Sequence, residues 1–216
     1  MIYEERTVLV SKGSEAEYTG YCNNEYWPSL AKHGAVPVAL LGGMIGDPLN
    51  HFVQMTRFPD LAAWSLAQSE QPADNVSYIE CEKTRLLRSI SARPKDVIPI
   101  EDRRAVYGYR RFVIEPGNLD EFVHCSEAGI WPRIESQGAC ILGLWTTIAA
   151  TNPLEILLMT GYHSPTNWQQ TRYAGQRPDD VDQKLWDAER ALRNRRMEMS
   201  LKSWVCLMRA YDIPAM

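Results

Sequence analysis

Arg6 and Arg110 stand at matching places in two strand-like runs of this 216-residue chain, and a guanidinium there could grip an anionic substrate group through two parallel hydrogen bonds. The same side chains could instead close structural ion pairs with Glu4 or another acid. His33 precedes Gly34 at the expected end of a helix, where the macrodipole favours a protonated imidazole. It could act as a general acid or base, or cap the last helix carbonyls. His51, on a later strand-like run, could share a cavity with Glu5, whose carboxylate would orient the imidazole for proton transfer. The expected catalytic set is therefore His33, His51, Glu5 and Arg6.

Aromatic residues supply the matching walls. Of the seven Trp, Trp27, Trp64, Trp131, Trp145, Trp168 and Trp204 fall on elements that should face a core or a cavity, where such rings suit a planar apolar ligand as well as simple core packing, and the first four are the tryptophans expected to bind substrate. Strand alternation places Tyr107, Tyr109 and Arg111 on one face of a strand and Arg110 on the other. These four, with the tryptophans, are the expected substrate-binding residues.

Other chemistries lack their residues. No HExxH, paired Cys/His spacing or EF-hand loop is present, so no metal site is expected. The glycines of Leu41-Gly42-Gly43-Met44 lie in a strand-like run, where they suggest a bulge and not a phosphate cradle. No tightly held cofactor is expected. With Lys and Arg scattered and outnumbered by carboxylates, a net charge of -4 gives a phosphate backbone nothing to bind, so nucleic acid is not an expected partner. No apolar run nears the roughly 20 residues that cross a bilayer. The opening MIYEERTVLV enters a strand pattern at once and does not read as a leader. Five cysteines without CxxC spacing suit reduced thiols, hence a cytoplasmic protein.

The elements that must position these groups are written twice. At an offset of 104, Tyr3 falls on Tyr107, Arg6 on Arg110, Gly13 on Gly117, Trp27-Pro28 on Trp131-Pro132, Gly34-Ala35 on Gly138-Ala139 and Leu40 on Leu144. The first copy reads as a strand from Ile2 to Val10, a turn, then a helix with Ser14 as N-cap and Glu17 three residues on. That helix should break at Trp27-Pro28 and end at Gly34. A hairpin of Val36 to Met44 and His51 to Phe58, a short helix from Asp60 and a last strand from Thr84 to Ser91 complete it. The second copy repeats the order, with one extra residue expected in the hairpin turn at Thr151-Asn152-Pro153 and an added amphipathic helix near 180–201.

The order is βαββαβ, a ferredoxin-like plait with helices on one sheet face only. Its bare face needs cover, and a second such sheet would bury apolar area at about 25 cal/mol per Å². The expected fold is α+β: tandem ferredoxin-like domains packed sheet to sheet as an intramolecular dimeric α+β barrel. The domains are expected at 1–91 and 105–216, joined by a linker at 92–104.

Tyr3-Glu4-Glu5-Arg6-Thr7, Lys12-Gly13, the Trp27-Pro28 region, Lys32-His33-Gly34 and Leu49-Asn50-His51-Phe52-Val53 resemble the NIPSNAP family of the dimeric α+β barrel superfamily. Gly143-Leu144-Trp145-Thr146-Thr147 and Asn152-Pro153-Leu154 repeat the likeness in the second copy. The chain departs from the family pattern at Gln54 and Thr56, where a His and a Trp are common, and at Met159 and Gly161, expected to be their counterparts. The resemblance implies a small-molecule-binding protein, and haem is suggested by superfamily analogy alone. The expected function is a cofactor-independent enzyme of isomerase, cyclase, lyase or monooxygenase type acting on an aromatic or apolar metabolite. The alternative is a non-catalytic binding or scaffold protein. In either case the internal pseudo-dimer could pair again as a homo-oligomer.

Overall fold

The computed structural model describes residues 1–70, 76–149, 151–173 and 175–214. The chain forms two compact units, Ser89–Leu207 and Met1–Arg88, the latter joined by the residues from Met208 on. No described helix is long and apolar enough to cross a membrane.

In the first unit β1 (Ile2–Val10) is central, pairing antiparallel with β3 (His51–Phe58) on one side and β4 (Ile79–Ser89) on the other. β3 also pairs with β2 (Val36–Ile45), giving the order β4-β1-β3-β2. The second unit repeats this as β8-β5-β7-β6, with β5 (Val106–Ile114), β6 (Cys140–Thr147), β7 (Leu154–Tyr162) and β8 (Ser200–Tyr211). The even-numbered side chains of β1 and β5 face the helices. Val8 and Val10 join the core of Tyr18, Trp27 and Leu30, while Phe112 and Ile114 join that of Phe122, Trp131 and Ile134.

The registers hold the 104-residue offset throughout. Arg6 lies opposite Gln54 and Arg110 opposite Leu158, and Leu40 opposite Gln54 matches Leu144 opposite Leu158. The extra residue expected at Thr151-Asn152-Pro153 therefore does not exist, and the counterparts of Gln54 and Thr56 are Leu158 and Thr160, not Met159 and Gly161. Both hairpins shift register at the same place, between Pro37 and Ala39 and between Ile141 and Gly143. That is the bulge position, a few residues before the glycines that were expected to mark it.

The first helix of each unit is broken as Trp-Pro demands. α1 (Glu15–Tyr21) passes through a π-helical turn, Cys22–Tyr26, into α2 (Trp27–Ala31). α4 (Leu119–His124) passes through Cys125–Ile130 into α5 (Trp131–Ser136). Proline has no N–H to give to the preceding turn, and widening that turn relieves its ring from the carbonyl behind it. Gly34 and Gly138 end these segments with φ of +73° and +86°. Ser14, expected as a capping side chain, makes no cap hydrogen bond.

α3 (Leu61–Glu70) starts where Asp60 accepts from the Ala63 N–H at 2.8 Å, and α6 (Pro165–Gln170) starts at Ser164, which accepts from Asn167. The added helix is α7 (Gln183–Glu198), capped by Asp182 on the Lys184 N–H at 2.8 Å. It packs on the π-helical turn of its own unit, where Gly129 leaves room: a Cβ there would stand 2.8 Å from Leu192.

Candidate functional site

Within the second unit, a cavity of about 490 Å³ lies between the helix-facing side of the sheet and its helices. The even face of β5 contributes Gly108, Arg110 and Phe112, and one face of β7 contributes Leu158, Thr160 and Tyr162. Ile130, Trp131 and Ile134 come from the broken helix. Trp168, Thr171, Arg172 and Tyr173 close it from α6 and the turn beyond. The far wall is α7, with Glu189, Arg193, Arg196 and Met197, followed by Ser200, Ser203 and Val205 of β8.

Its electrostatics are lopsided. Glu189 lines the cavity, but its carboxylate is held by Arg133 at 2.5 and 2.8 Å. Arg133 in turn donates to Gln137 and to the Thr171 carbonyl, each at 2.7 Å. Arg110, Arg172, Arg193 and Arg196 have no carboxylate at ion-pair distance among the described residues. They rest on neutral groups instead. Arg196 donates to Ser126 at 3.1 Å and lies 4.9 Å over Phe112, and Arg110 reaches Ser203 at 3.5 Å. Arg193 stacks 4.2 Å over Tyr173 and Arg172 5.0 Å over Trp168. Burial depresses the Arg196 guanidinium, and neighbouring Arg110 adds to this. Burial also depresses Arg110, with Arg172 adding to it, while burial raises the Tyr162 phenol against the pull of Arg110. Trp131 is buried, and its indole N–H has no hydrogen-bond partner.

The same region of the first unit is filled by its own side chains. Arg6 lies 4.6 Å over the Tyr26 ring and donates through Nε to Glu82 at 3.1 Å, with a second bond to the same oxygen through Nη2. Glu4 accepts from Trp64 at 2.5 Å, Tyr26 at 2.9 Å and Gln68 at 3.0 Å. Tyr18 donates to Gln54, which donates to Cys22 at 3.2 Å. Burial pushes the Cys22 thiol up to about 12, so it stays protonated and inert. Trp27 donates to Thr56 at 2.9 Å. In the second unit the places of Glu4, Tyr26 and Gln54 are taken by Gly108, Ile130 and Leu158. With Gly108, Ile130 and Leu158 at those places and the arginine kept, the second unit has fewer polar side chains on its helix-facing side, and there it lines a cavity.

Of the expected substrate-binding residues, Arg110 and Trp131 line the cavity. Tyr107, Tyr109, Arg111 and Trp145 do not. Arg111 donates to the Tyr109 hydroxyl and to Glu155 at 2.5 Å, on the sheet face opposite the cavity. Trp27 and Trp64 belong to the filled unit, as does Arg6. The expected pair of His51 and Glu5 is not formed: His51 lies opposite Leu9, and Glu5 opposite Met55, four residues along. At about 3.4 Å per residue that is beyond any contact. His51 instead meets Asp47 of its own turn at 2.5 Å. His33 sits where the helix ends, 3.3 Å from Glu70 but without a hydrogen-bonding angle. The catalytic quartet is thus dispersed.

Among the described residues no three His, Cys, Asp or Glu side chains gather as a metal site. Sequence reasoning missed Arg193 and Arg196. The signal was their spacing: Trp186, Glu189, Arg193 and Arg196 recur at helical intervals, placing charge on the inward stripe of α7.

No family model matches this sequence, and no curated protein matches it. Among solved structures, a candidate monooxygenase from Lactobacillus acidophilus NCFM is 13% identical over 97% of this chain and 93% of its own, with a TM-score of 0.65. An anthrone oxidase-like protein is 8% identical over 98% and 91%, with a TM-score of 0.59. A NIPSNAP domain protein from Burkholderia xenovorans is 18% identical over 46% of this chain and 99% of its own, but its TM-score of 0.35 carries no weight. These likenesses show the fold alone, an α+β fold with antiparallel strands.

Proposed function

We propose that this chain is a NIPSNAP-like small-molecule protein built from two ferredoxin-like copies, and that its second unit is a cofactor-independent enzyme site for an aromatic or apolar metabolite. The observation that carries this reading is the open cavity of the second unit, set against the filled core of the first. A scaffold would close both units with their own side chains, whereas a binding site keeps a few hundred Å³ with convergent polar groups. Phe112, Trp131, Tyr162 and Trp168 offer ring faces to a planar ligand, and the guanidinia offer charge where an enolate or phenolate would develop.

Such a site favours reactions that pass through a carbanion or enolate: isomerisation, cyclisation, elimination, or direct oxygenation of an activated substrate. Stabilisation of an anion held by fixed guanidinia away from bulk water exceeds that of the neutral ground state, which is the requirement for catalysis. The descriptions carried by the two fold neighbours, a candidate monooxygenase and an anthrone oxidase-like protein, accord with the last of these reactions.

A thermal-shift titration with 1-naphthol tests the binding step. The wild type should show a rise in Tm that grows with ligand concentration, and Ile130→Tyr, which restores the ring found at Tyr26, should abolish it. An equal rise in both proteins would place the ligand elsewhere and remove this reading.

A non-catalytic binding protein is the second reading, favoured by one observation: no histidine lines the cavity, and its one carboxylate is tied to Arg133. Recovery of bound aromatic ligands unchanged after aerobic incubation would select it.

A further inference from the structure

We propose that the natural ligand of the second unit is an aromatic molecule bearing at least two acid groups, seated between Arg110 and Arg196 within the ring of four cavity arginines. This rests on the cavity being the binding site. It goes further by fixing the ligand's charge.

The charge count decides the class. Four guanidinia line the cavity with no carboxylate at ion-pair distance among the described residues, while the one acid present is neutralised by Arg133. Their own contacts are rings and hydroxyls, which orient a cation without neutralising it. Like charges so placed repel one another; Arg172 is exposed and screened by solvent, but a monoanion would still leave Arg110, Arg193 and Arg196 with one counter-charge among them. Comparison with the first unit points the same way. Arg6, at the place of Arg110, is paired with Glu82 of the last strand, whereas among the described residues Arg110 meets the Ser203 hydroxyl and the Phe112 ring but no carboxylate. Among the described residues the second unit lacks, at this place, the internal counter-ion that the first unit has, and an acidic ligand would supply it. Phe112 and Trp131 supply ring faces, and the unpartnered Trp131 N–H is a spare donor for an oxygen on the ligand.

Isothermal titration with three matched probes reads this out: naphthalene-1,4-dicarboxylate, 1-naphthoate and 1-naphthamide. Each charge-assisted contact should tighten binding by about tenfold, so the expected order is dicarboxylate, then naphthoate, then amide. In Arg110→Gln and in Arg196→Gln the advantage of the dicarboxylate over the amide should fall about tenfold, and Arg110→Lys should restore part of it. Circular dichroism checks that each variant is folded. Comparable affinity for all three probes would overturn the charge assignment while leaving the cavity as an aromatic site. Binding of none of them would overturn both readings. A charge preference unchanged in both Gln variants would place the acid groups elsewhere and overturn this proposal.

Discussion

Arg133 of α5 and Glu189 of α7 face each other as a two-pronged ion pair, at 2.5 and 2.8 Å, with each side chain only 2% exposed. This pair ties the added helix to the broken helix of the second unit and neutralises the one carboxylate among the described cavity residues. Breaking a buried pair by deleting one partner leaves an uncompensated charge, a cost of about 3–5 kcal/mol. Arg133→Met should therefore lower stability in urea unfolding by about that amount, and Arg133→Met with Glu189→Leu should recover much of it, because no orphaned charge is left. A double variant as unstable as the single one would show that the Arg133 bonds to Gln137 and Thr171 matter more than the pair.

The contrast between Glu82 against Arg6 and Ser203 against Arg110 is testable by exchange. Ser203→Glu places a carboxylate beside Arg110 and should weaken naphthalene-1,4-dicarboxylate binding by about tenfold, with little change in Tm. Glu82→Ser in the first unit should cost only about 0–1 kcal/mol, since Glu82 is half exposed and solvent screens the pair. It should leave ligand binding unchanged, as should Arg6→Ala, because Arg6 serves the packing of a filled unit. Calorimetry with the same probe checks all three.

The matching registers of the two sheets were legible because their carriers in the sequence, Trp-Pro, the helix-ending glycines and the paired arginines, are residues whose backbone or charge few others can replace. The element order followed from them. The cavity was not read, although its cause lay within the same alignment: Gly108 stands for Glu4, Ile130 for Tyr26 and Leu158 for Gln54. Expecting an extra residue in the second hairpin shifted Gln54 onto Met159 and hid the last of these. His33, His51 and Glu5 looked chemical because of their residue types, but their neighbours were set by register and turn geometry. Arg193 and Arg196 escaped because charged residues on a long helix normally face water, and only their spacing with buried Trp186 and Glu189 shows otherwise.

Glu4 gives the first unit a pH signature. Its carboxyl is raised above the ordinary 4.5 chiefly by burial, against the hydrogen bonds from Trp64 and Tyr26 that favour the anion. The folded chain therefore holds this proton to higher pH than the unfolded chain does. The resulting stabilisation is complete below pH 4.5 and is lost as pH rises through the folded value. Glu4→Gln, which carries no titrating proton, should gain stability relative to wild type as pH rises above about 4.5 in urea unfolding. A wild-type to variant difference that stays constant over that range would mean the carboxyl titrates alike in both states.

Gly129 sets how closely α7 can approach, and so sets the far wall of the cavity. A methyl group there would stand 2.8 Å from the Leu192 Cβ and 3.1 Å from its Cδ1. The first atom is fixed to the α7 backbone, so the helix itself must move. Overpacking of this kind costs about 1–3 kcal/mol. Gly129→Ala should lower stability by that amount and, by carrying Arg193 and Arg196 outward, should weaken naphthalene-1,4-dicarboxylate more than 1-naphthamide in the same titration. Leu192→Gly in the Gly129→Ala background removes the Cβ that the new methyl meets and should bring the charge preference back. If the two probes weaken equally in Gly129→Ala, the arginines of α7 do not carry the acid recognition, and the charge must be read by Arg110 and Arg172.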